Sequence, residues 1–343
     1  HNIYNQLGDY TAYQKPENVV TVWDAFHRRK HLNAAYSFGC SVRGTSKDGF
    51  DHAIQTAEQS DIIIAVVGGS SSRFDAPESV DSTTAQAKIT EADKSDMECG
   101  EGVDRADITL LGNQLELLKL LKKTGKPLVV VYIGGRPFHD QWVFENADAV
   151  LYAWYPGEQG GNAIADIITG VCNPSGRMTL SVPKSVGQLP LYYSRRPSIK
   201  LQYGYVEMDA EPLIPFGFGL SYSTFEYANL AIQVRNADLI NPLVEVSVEV
   251  TNTSSRAGYE VVQCYLHAET ASVSRPEREL RGFVKLWLNP GETKTAVIHL
   301  GYDELKLFGI DYQYSVEQGT YTVMVGSSSK EIRCTGQFVL DSF

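Results

Sequence analysis

Apolar residues with helical spacing alternate with short, wholly apolar stretches through the first half of the chain. Residues 48–59 carry apolar side chains along one stripe and predict a helix, which residues 61–69 (DIIIAVVGG) follow as a strand. The centre of this strand is apolar on both faces, as a strand needs when helices cover both sides of a parallel sheet. The pattern therefore predicts an α/β fold with a mostly parallel sheet.

The same rhythm continues on both sides of this pair and extends the predicted sheet. Glycines at 125 and 170 follow two of the helical stretches and are typical helix terminators. Strands that alternate with helices imply right-handed crossovers and a three-layer α/β/α sandwich. The further predicted elements are helices at 19–26, 111–124, 142–146 and 162–169, and strands at 34–38, 127–134 and 149–155.

From residue 223 the period of the apolar positions changes from helical to two. Val244, Val246, Val248 and Val250 alternate with polar residues, which predicts a half-buried strand. Several short strands separated by turns are typical of a β-sandwich of the fibronectin type III kind. Pro and Gly interrupt both patterns at 212–224, so we expect an α/β domain at 1–222 and a β-sandwich at 223–343. The other predicted strands are 259–267, 283–288, 296–300 and 321–325.

Composition and charge exclude several classes of partner. A net charge of -11 leaves no basic face for a nucleic-acid backbone. No apolar run is long enough to cross a bilayer, so we expect a soluble chain without a membrane partner, in a cytoplasmic or an exported location. The five cysteines lie far apart without a CxxC pair, which favours buried free thiols over a metal site. No motif indicates a cofactor, and a homo-oligomer stays open.

The long polar segment between residue 69 and the helix at 111 is the candidate site. In an open α/β sheet such a segment leaves the carboxyl end of a strand, where ligands usually bind. Near its end Glu101 stands between Gly100 and Gly102, and these glycines would allow the acid to project toward a partner surface. Taken alone, Glu101 is also compatible with a solvated acid in a turn. Asp104 and Arg105 are interpreted as a local ion pair that fixes the loop.

The run CGEGVDR, followed by ITLLGNQLELL, resembles the S-G-E-G-x-D-R and L-x-L-P-G-x-Q-x-x-L motifs of family 3 glycoside hydrolases, the β-glucosidases and β-xylosidases. Cys99 replaces the usual Ser and Leu111 the usual Pro, and neither change removes a catalytic group. Residues after 223 resemble the family's fibronectin type III-like domain. Four further segments resemble the family in family order: GKPLVVVYIGGRPF, AWYPGEQGGNAIADIITG, NPSGRMTLSVPKSVGQLP and PLIPFGFGLSYSTFEY.

This resemblance implies a retaining, exo-acting β-glycosidase that removes terminal sugars from oligosaccharides, with Glu101 as the general acid/base. It also implies that the aspartate nucleophile belongs to an N-terminal (β/α)8 barrel, which this chain lacks, and that the first strand of the α/β domain is missing. We therefore expect activity only with a barrel-bearing segment or chain. Glu98 is the alternative acid/base if the motif is aligned differently.

Two questions stay open from the sequence. The chain is also compatible with a non-catalytic carbohydrate-binding or structural module related to these enzymes, because it lacks the nucleophile. Glucose and xylose specificity cannot be separated, since the residues that would decide lie mostly in the barrel.

Overall fold

The computed structural model describes residues 1–12, 14–71, 83, 96–100, 103–198 and 203–341. The chain forms two compact units, His1–Cys172 and Asn173–Phe343. None of the helices in these described ranges combines the length and apolar character that crossing a bilayer requires.

The first unit alternates helices with parallel strands. Its strands are β1 (Ile63–Gly68), β2 (Leu128–Ile133) and β3 (Ala149–Trp154). Its helices are α1 (Ile3–Leu7), α2 (Val22–His27), α3 (Phe50–Glu58), α4 (Gln114–Lys123), α5 (Gln141–Asn146) and α6 (Gly160–Ile168).

The sheet has the order β1-β2-β3, and both pairings are parallel. All six residues of β2 are buried, because this central strand has helices on both faces. On one face α3, α4 and α5 enclose a core around Leu118, Val130 and Tyr132. On the other face α2 and α6 pack on Val129 and Val131. The predicted three-layer α/β/α sandwich with a parallel sheet is confirmed.

Local sequence fixes where α2 begins. Thr21 and Asp24 form a capping box: the Thr21 hydroxyl accepts from the Asp24 amide, and the Asp24 carboxylate accepts from the Thr21 amide. Val22 and Ala25 then lie on the buried side of the helix. The cap therefore sets which face of α2 meets the sheet.

The second unit is an antiparallel β-sandwich. Its elements are β4 (Phe225–Asn236), β5 (Leu243–Asn252), β6 (Gly258–Ala268), β7 (Glu279–Leu288), β8 (Thr293–Leu300), α7 (Tyr302–Leu305), β9 (Leu307–Phe308), β10 (Tyr314–Ser315), β11 (Gly319–Gly326) and β12 (Ile332–Leu340). The strands form a four-stranded sheet, β12-β11-β6-β7, a three-stranded sheet, β4-β5-β8, and a small β10-β9 pair.

Alternation along these strands generates the core of the sandwich. The four valines of β5 point inward and are fully buried, together with Val323 and Val325 of β11. The intervening residues of β5 are half-buried. The period of two seen in the sequence thus sorts side chains between the core and the outer face of one sheet.

Residues 173–198 and 203–222 belong to the second compact unit. The side-chain Nδ2 of Asn173 donates to Ser223 Oγ and to the Ala257 carbonyl, at 2.8 and 2.9 Å. Arg177 forms a buried ion pair with Glu260 of β6 at 2.8 Å. This segment therefore packs on the β-sandwich through hydrogen bonds and a buried ion pair.

One predicted strand is wrong. Residues 34–38 belong to no helix and pair with none of the described strands. An extended segment becomes a strand only when a neighbouring backbone accepts and donates its hydrogen bonds. Among the described strands, β1 pairs with β2 alone.

Candidate functional site

The candidate site lies at the carboxyl ends of the three parallel strands. β1 runs into Gly69, Ser70 and Ser71, β2 into Gly134, Gly135 and Arg136, and β3 into Tyr155. In a parallel sheet these ends meet at one edge, which is where α/β folds bind their ligands. Glu98 and Cys99, where the CGEGVDR segment begins, join this same edge.

Backbone hydrogen bonds hold the base of the loop against the end of β1. The amides of Glu98 and Cys99 both donate to the Ser70 carbonyl, at 2.8 and 3.4 Å. The Val103 amide donates to the Gly100 carbonyl at 3.1 Å. The two residues that flank positions 101 and 102 are therefore fixed to each other and, through Glu98, to the sheet.

A buried carboxylate with two arginines forms the electrostatic centre of the site. Glu98 is only 2% exposed. Its Oε2 accepts from Arg105 Nη1 at 2.6 Å, and its Oε1 lies 3.8 Å from Arg136 Nε. Arg136 also donates to Asp104 at 2.5 Å. A buried carboxylate is tolerated only when it is paired, so this cluster ties residues on both sides of Glu101 to the end of β2.

Gly69 makes room for the Glu98 carboxylate. A Cβ at position 69 would lie 2.1 Å from Glu98 Oε1, far inside van der Waals contact. The amide of Gly69 at the same time donates to the Ile133 carbonyl of β2 at 3.0 Å. A side chain at 69 would thus displace either the carboxylate or the end of the sheet.

Tyr155 and Cys99 close the site from the side of β3. The Tyr155 hydroxyl donates to Ser71 Oγ at 2.8 Å and lies 3.9 Å from Cys99 Sγ. Burial raises the pKa of Tyr155 to about 12, so it is a neutral hydrogen-bond donor at physiological pH. Burial and then the charge of Glu98 raise the pKa of the Cys99 thiol. Neither side chain is an acid or base near neutral pH.

The sequence-predicted residues have different outcomes. Glu101 lies outside the described residues, and its role stays a prediction. The local pair of Asp104 with Arg105 is wrong as to partners: Asp104 pairs with Arg136, and Arg105 with Glu98. Arg136 follows a different strand, 31 positions beyond Arg105 in the printed numbering, so no local pattern pointed to it.

Trp154 packs against a neighbouring aromatic ring within the first unit. The Trp154 ring stacks on Tyr152, with centroids 5.6 Å apart, and the backbone of Trp154 has a φ of 53°. A positive φ at a bulky residue is costly and needs support from its surroundings. The Gly134 amide, which donates to the Trp154 carbonyl at 3.0 Å, supplies part of it.

In the described part of the chain, no group of three or more His, Cys, Asp or Glu side chains is arranged to hold a metal ion. The site consists instead of an ion-paired loop base, backbone groups and aromatic side chains.

Comparison with known proteins identifies both parts of the chain. Residues 2–222 match the glycosyl hydrolase family 3 C-terminal domain, and residues 260–329 match a fibronectin type III-like domain. A β-xylosidase of Formosa agariphila is 40% identical over 333 residues, which cover 95% of this chain and 42% of that protein. A periplasmic β-glucosidase of Salmonella typhimurium is 38% identical over 84% of this chain and 36% of its own length.

Solved structures show the same relationship. A β-glucosidase of Listeria innocua in complex with isofagomine superposes with a TM-score of 0.82 at 27% identity, covering 100% of this chain and 45% of that one. A β-glucosidase of Erythrobacter marinus gives a TM-score of 0.80 at 32% identity, over 98% of this chain and 46% of its own. The chain thus spans less than half the length of these relatives. On the match over residues 2–222, it belongs to glycosyl hydrolase family 3.

Proposed function

We propose that this chain supplies the general acid/base, Glu101, of a retaining β-glycosidase that releases terminal β-linked sugars from oligosaccharides. The observation that carries the proposal is the fixed base of the CGEGVDR loop. Gly100 and Val103 are held together at the carboxyl edge of the sheet, and the Glu98 cluster anchors both sides. Relatives named β-xylosidase and β-glucosidase support the reaction class.

The chemistry requires two carboxyl groups about 5 Å apart. An aspartate attacks the anomeric carbon while Glu101 protonates the departing glycosidic oxygen, which leaves a covalent glycosyl-enzyme. Glu101, now a carboxylate, takes a proton from water as the water oxygen attacks the same carbon and releases the aspartate. The second inversion restores the original configuration.

The aspartate is proposed to come from a (β/α)8 barrel on the part of the enzyme that this chain does not span. The chain covers 42% of the β-xylosidase and 36% of the β-glucosidase, so those proteins have ample length for such a domain. Without the nucleophile no glycosyl-enzyme can form. We therefore expect the isolated chain to show no turnover of aryl β-glucosides or β-xylosides above a buffer control.

We further propose that residues 1–222 are the α/β domain by descent and that 223–343 are the fibronectin type III-like domain. The family match ending at residue 222 supports this boundary. The compact units divide earlier, after Cys172. Residues 173–222 would then be a tail of the α/β domain that packs on the β-sandwich.

The role of Glu101 is tested through leaving-group dependence in the complete enzyme. General acid catalysis contributes about 100- to 10,000-fold to a rate, and mainly where the leaving group needs a proton. For Glu101→Ala we expect kcat/KM to fall by about that factor for alkyl glycosides, and by less than about tenfold for dinitrophenyl glycosides.

The matched control is Glu98→Gln, three positions away in the same loop. Glu98 is buried and ion-paired, so its loss should lower stability and reduce kcat/KM equally for both classes of leaving group. Equal losses for Glu101→Ala, with leaving-group dependence in Glu98→Gln, would transfer the acid/base role to Glu98. A complete protein without turnover would favour a non-catalytic module.

A further inference from the structure

The ring of Tyr155, which follows β3, packs against the backbone of two glycines from other parts of the first unit. A Cβ on Gly8, which follows α1, would lie 3.2 Å from Cγ, Cδ1 and Cδ2 of the ring. A Cβ on Gly135, which follows β2, would lie 2.9 Å from its Cε2. A side chain at either position would push the ring aside. The two glycines therefore let the ring lie close to both backbones, and this fixes where its hydroxyl points.

The Tyr155 hydroxyl reaches the residues that follow β1. It donates to Ser71 Oγ at 2.8 Å, and the Asp9 amide donates to the same oxygen at 3.1 Å. Ser71 is only 4% exposed, so water offers little replacement for these two hydrogen bonds. The Ser71 hydroxyl therefore joins three parts of the chain: the residues after α1, after β1 and after β3.

The same hydroxyl contacts the first residue of the CGEGVDR segment. Tyr155 Oη lies 3.9 Å from Cys99 Sγ, within the range of a weak hydrogen bond that involves sulfur. Burial raises the pKa of this thiol, the charge of Glu98 raises it further, and the contact with Tyr155 lowers it. The Cys99 amide also donates to the Ser70 carbonyl at 3.4 Å. Tyr155 thus contacts both the residues that leave β1 and the residues that return to it.

Gly100 packs on the same group of residues. Its φ is 127°, a conformation that favours glycine. A Cβ at this position would lie 3.2 Å from Asp9 Oδ2 and 3.5 Å from the Ser71 carbonyl oxygen. The backbone directly before Glu101 therefore rests on the two residues whose hydrogen bonds meet at Ser71 Oγ.

We propose that Tyr155 is a positioning residue for the acid/base: its hydroxyl fixes Ser71 and Cys99 to each other, and so fixes the backbone that leads into Glu101. This inference rests on the proposed function, because the position of the loop matters to the rate only if Glu101 is the acid/base. A general acid must lie within about 2.6–3.2 Å of the oxygen that it protonates. A displacement of about 1 Å can cost about 100-fold in rate. Tyr155 acts through the loop and not on the sugar.

Phenylalanine separates the two contributions of this side chain. Its ring would keep the packing on Gly8 and Gly135, while the contacts to Ser71 and Cys99 would be lost. Burial raises the pKa of Tyr155 to about 12, so the hydroxyl keeps its proton at physiological pH. The substitution therefore removes a neutral hydrogen-bond donor and leaves the charge of the site unchanged.

The first test measures leaving-group dependence of Tyr155→Phe in the complete enzyme. We expect kcat/KM to fall about tenfold for alkyl glycosides and less than about twofold for dinitrophenyl glycosides, because only the alkyl leaving groups need the proton. Tyr152→Phe is the matched control, since it makes the same chemical change in β3, where the hydroxyl donates to the Phe138 carbonyl. It should leave the ratio of the two kcat/KM values unchanged. Equal losses for both classes of substrate in Tyr155→Phe would overturn the positioning role.

Ser71→Ala removes the shared acceptor and tests the same connection from its other end. If the Tyr155 hydroxyl acts through Ser71, the variant that carries both substitutions should lose about as much kcat/KM for alkyl glycosides as Tyr155→Phe alone. Independent effects would instead multiply, to about 100-fold for two tenfold losses. A multiplicative loss would therefore contradict the route through Ser71.

Hydrogen exchange of this chain supplies a readout without catalysis. The amides of Cys99 and Val103 donate to the carbonyls of Ser70 and Gly100. In Tyr155→Phe they should exchange about three- to tenfold faster than in the wild type, because a hydrogen bond that holds the loop base is gone. The amides of β2 should exchange at the wild-type rate. Unchanged exchange at positions 99 and 103 would overturn the proposal.

The outcomes separate this inference from the proposed function. Leaving-group dependence in Glu101→Ala without any in Tyr155→Phe would retain the acid/base and remove the positioning role. Glu101→Ala without leaving-group dependence would remove both, even if hydrogen exchange showed that the hydroxyl holds the loop base.

Discussion

At the scale of single residues, the site is organised by a carboxylate that the chain buries at the end of a strand. Glu98 has lost its water, and its charge is balanced by Arg105 at 2.6 Å and by Arg136 at 3.8 Å. A buried pair adds little net stability compared with apolar side chains, but removal of one partner leaves an uncompensated charge. The cluster therefore fixes Glu98, Asp104 and Arg105 to Arg136, which follows β2.

Arg105→Met should destabilise the first unit strongly. Its side chain is 10% exposed, and its loss removes the partner at 2.6 Å from a carboxylate that is 1% exposed. We expect a loss of about 3 kcal/mol in the free energy of unfolding, measured by urea denaturation. Lys47→Met is the control, because its pair with Glu116 is 52% and 48% exposed and should contribute below about 1 kcal/mol. Equal effects of the two substitutions would contradict the account.

The thiols should react with iodoacetamide in an order set by burial and charge. Cys172 is exposed, whereas the pKa of Cys99 is raised by burial and by Glu98, and burial raises the pKa of Cys264 to about 12. Because the thiolate is the reactive form, Cys172 should be alkylated first near neutral pH. Glu98→Gln should accelerate Cys99, since one of the charges that oppose thiolate formation is removed. Peptide mapping of timed samples measures both effects, and Cys99 reacting as fast as Cys172 in the wild type would contradict them.

At the scale of elements, the sequence predicts what periodicity and burial determine together. β2 is uniformly apolar and was predicted to within a residue at each end, because a strand with helices on both faces has no polar position to confuse the pattern. The strand at 34–38 was predicted from the same kind of pattern, yet it pairs with none of the described strands. The spacing of apolar positions indicates which face of a strand is buried, but it does not indicate which strands pair with each other.

The position of the candidate site in the fold was predictable from the sequence, but the ion pairs within it were not. A long segment after β1 indicates the carboxyl edge of the sheet by topology alone. The pairing of Arg136 with Asp104 and Glu98 depends on how two strands lie side by side, which spacing along the chain does not encode. In the second unit, β4 and β12 of the two main sheets were missed, as was the short pair of β9 with β10. β4 contains register shifts and a positive φ at Asn229, which blur its alternation.

Gly161 tests the contact between α2 and α6. A Cβ at this position would lie 2.1 Å from the Thr21 carbonyl oxygen and 2.4 Å from that of Val20, and the Gly161 amide donates to Val20 at 2.9 Å. Gly161→Ala should therefore cost about 1–3 kcal/mol of stability, because backbone atoms must shift. Asn162→Ala, one position along the same helix, should change stability by less than about 0.5 kcal/mol. Thermal unfolding measures both, and equal Tm values would contradict the packing described.

At the scale of the whole molecule, the chain consists of two compact units. Each compact unit has its own buried cluster, one around Leu118 and Tyr132 and the other around the valines of β5. The first unit also holds the candidate site, at the carboxyl ends of its parallel strands. The chain covers 42% of its β-xylosidase relative from Formosa agariphila.

The most direct test of the central claim is the product that Glu101→Ala forms in the complete enzyme with added azide. In this variant no base activates water, so the glycosyl-enzyme is hydrolysed slowly. A small anion can enter the space that the glutamate side chain occupied and attack the anomeric carbon. The account predicts that azide accelerates turnover of a dinitrophenyl glycoside and yields the β-glycosyl azide, identified by its anomeric NMR coupling. Turnover unchanged by azide, with no glycosyl azide formed, would contradict the assignment of Glu101 as the acid/base.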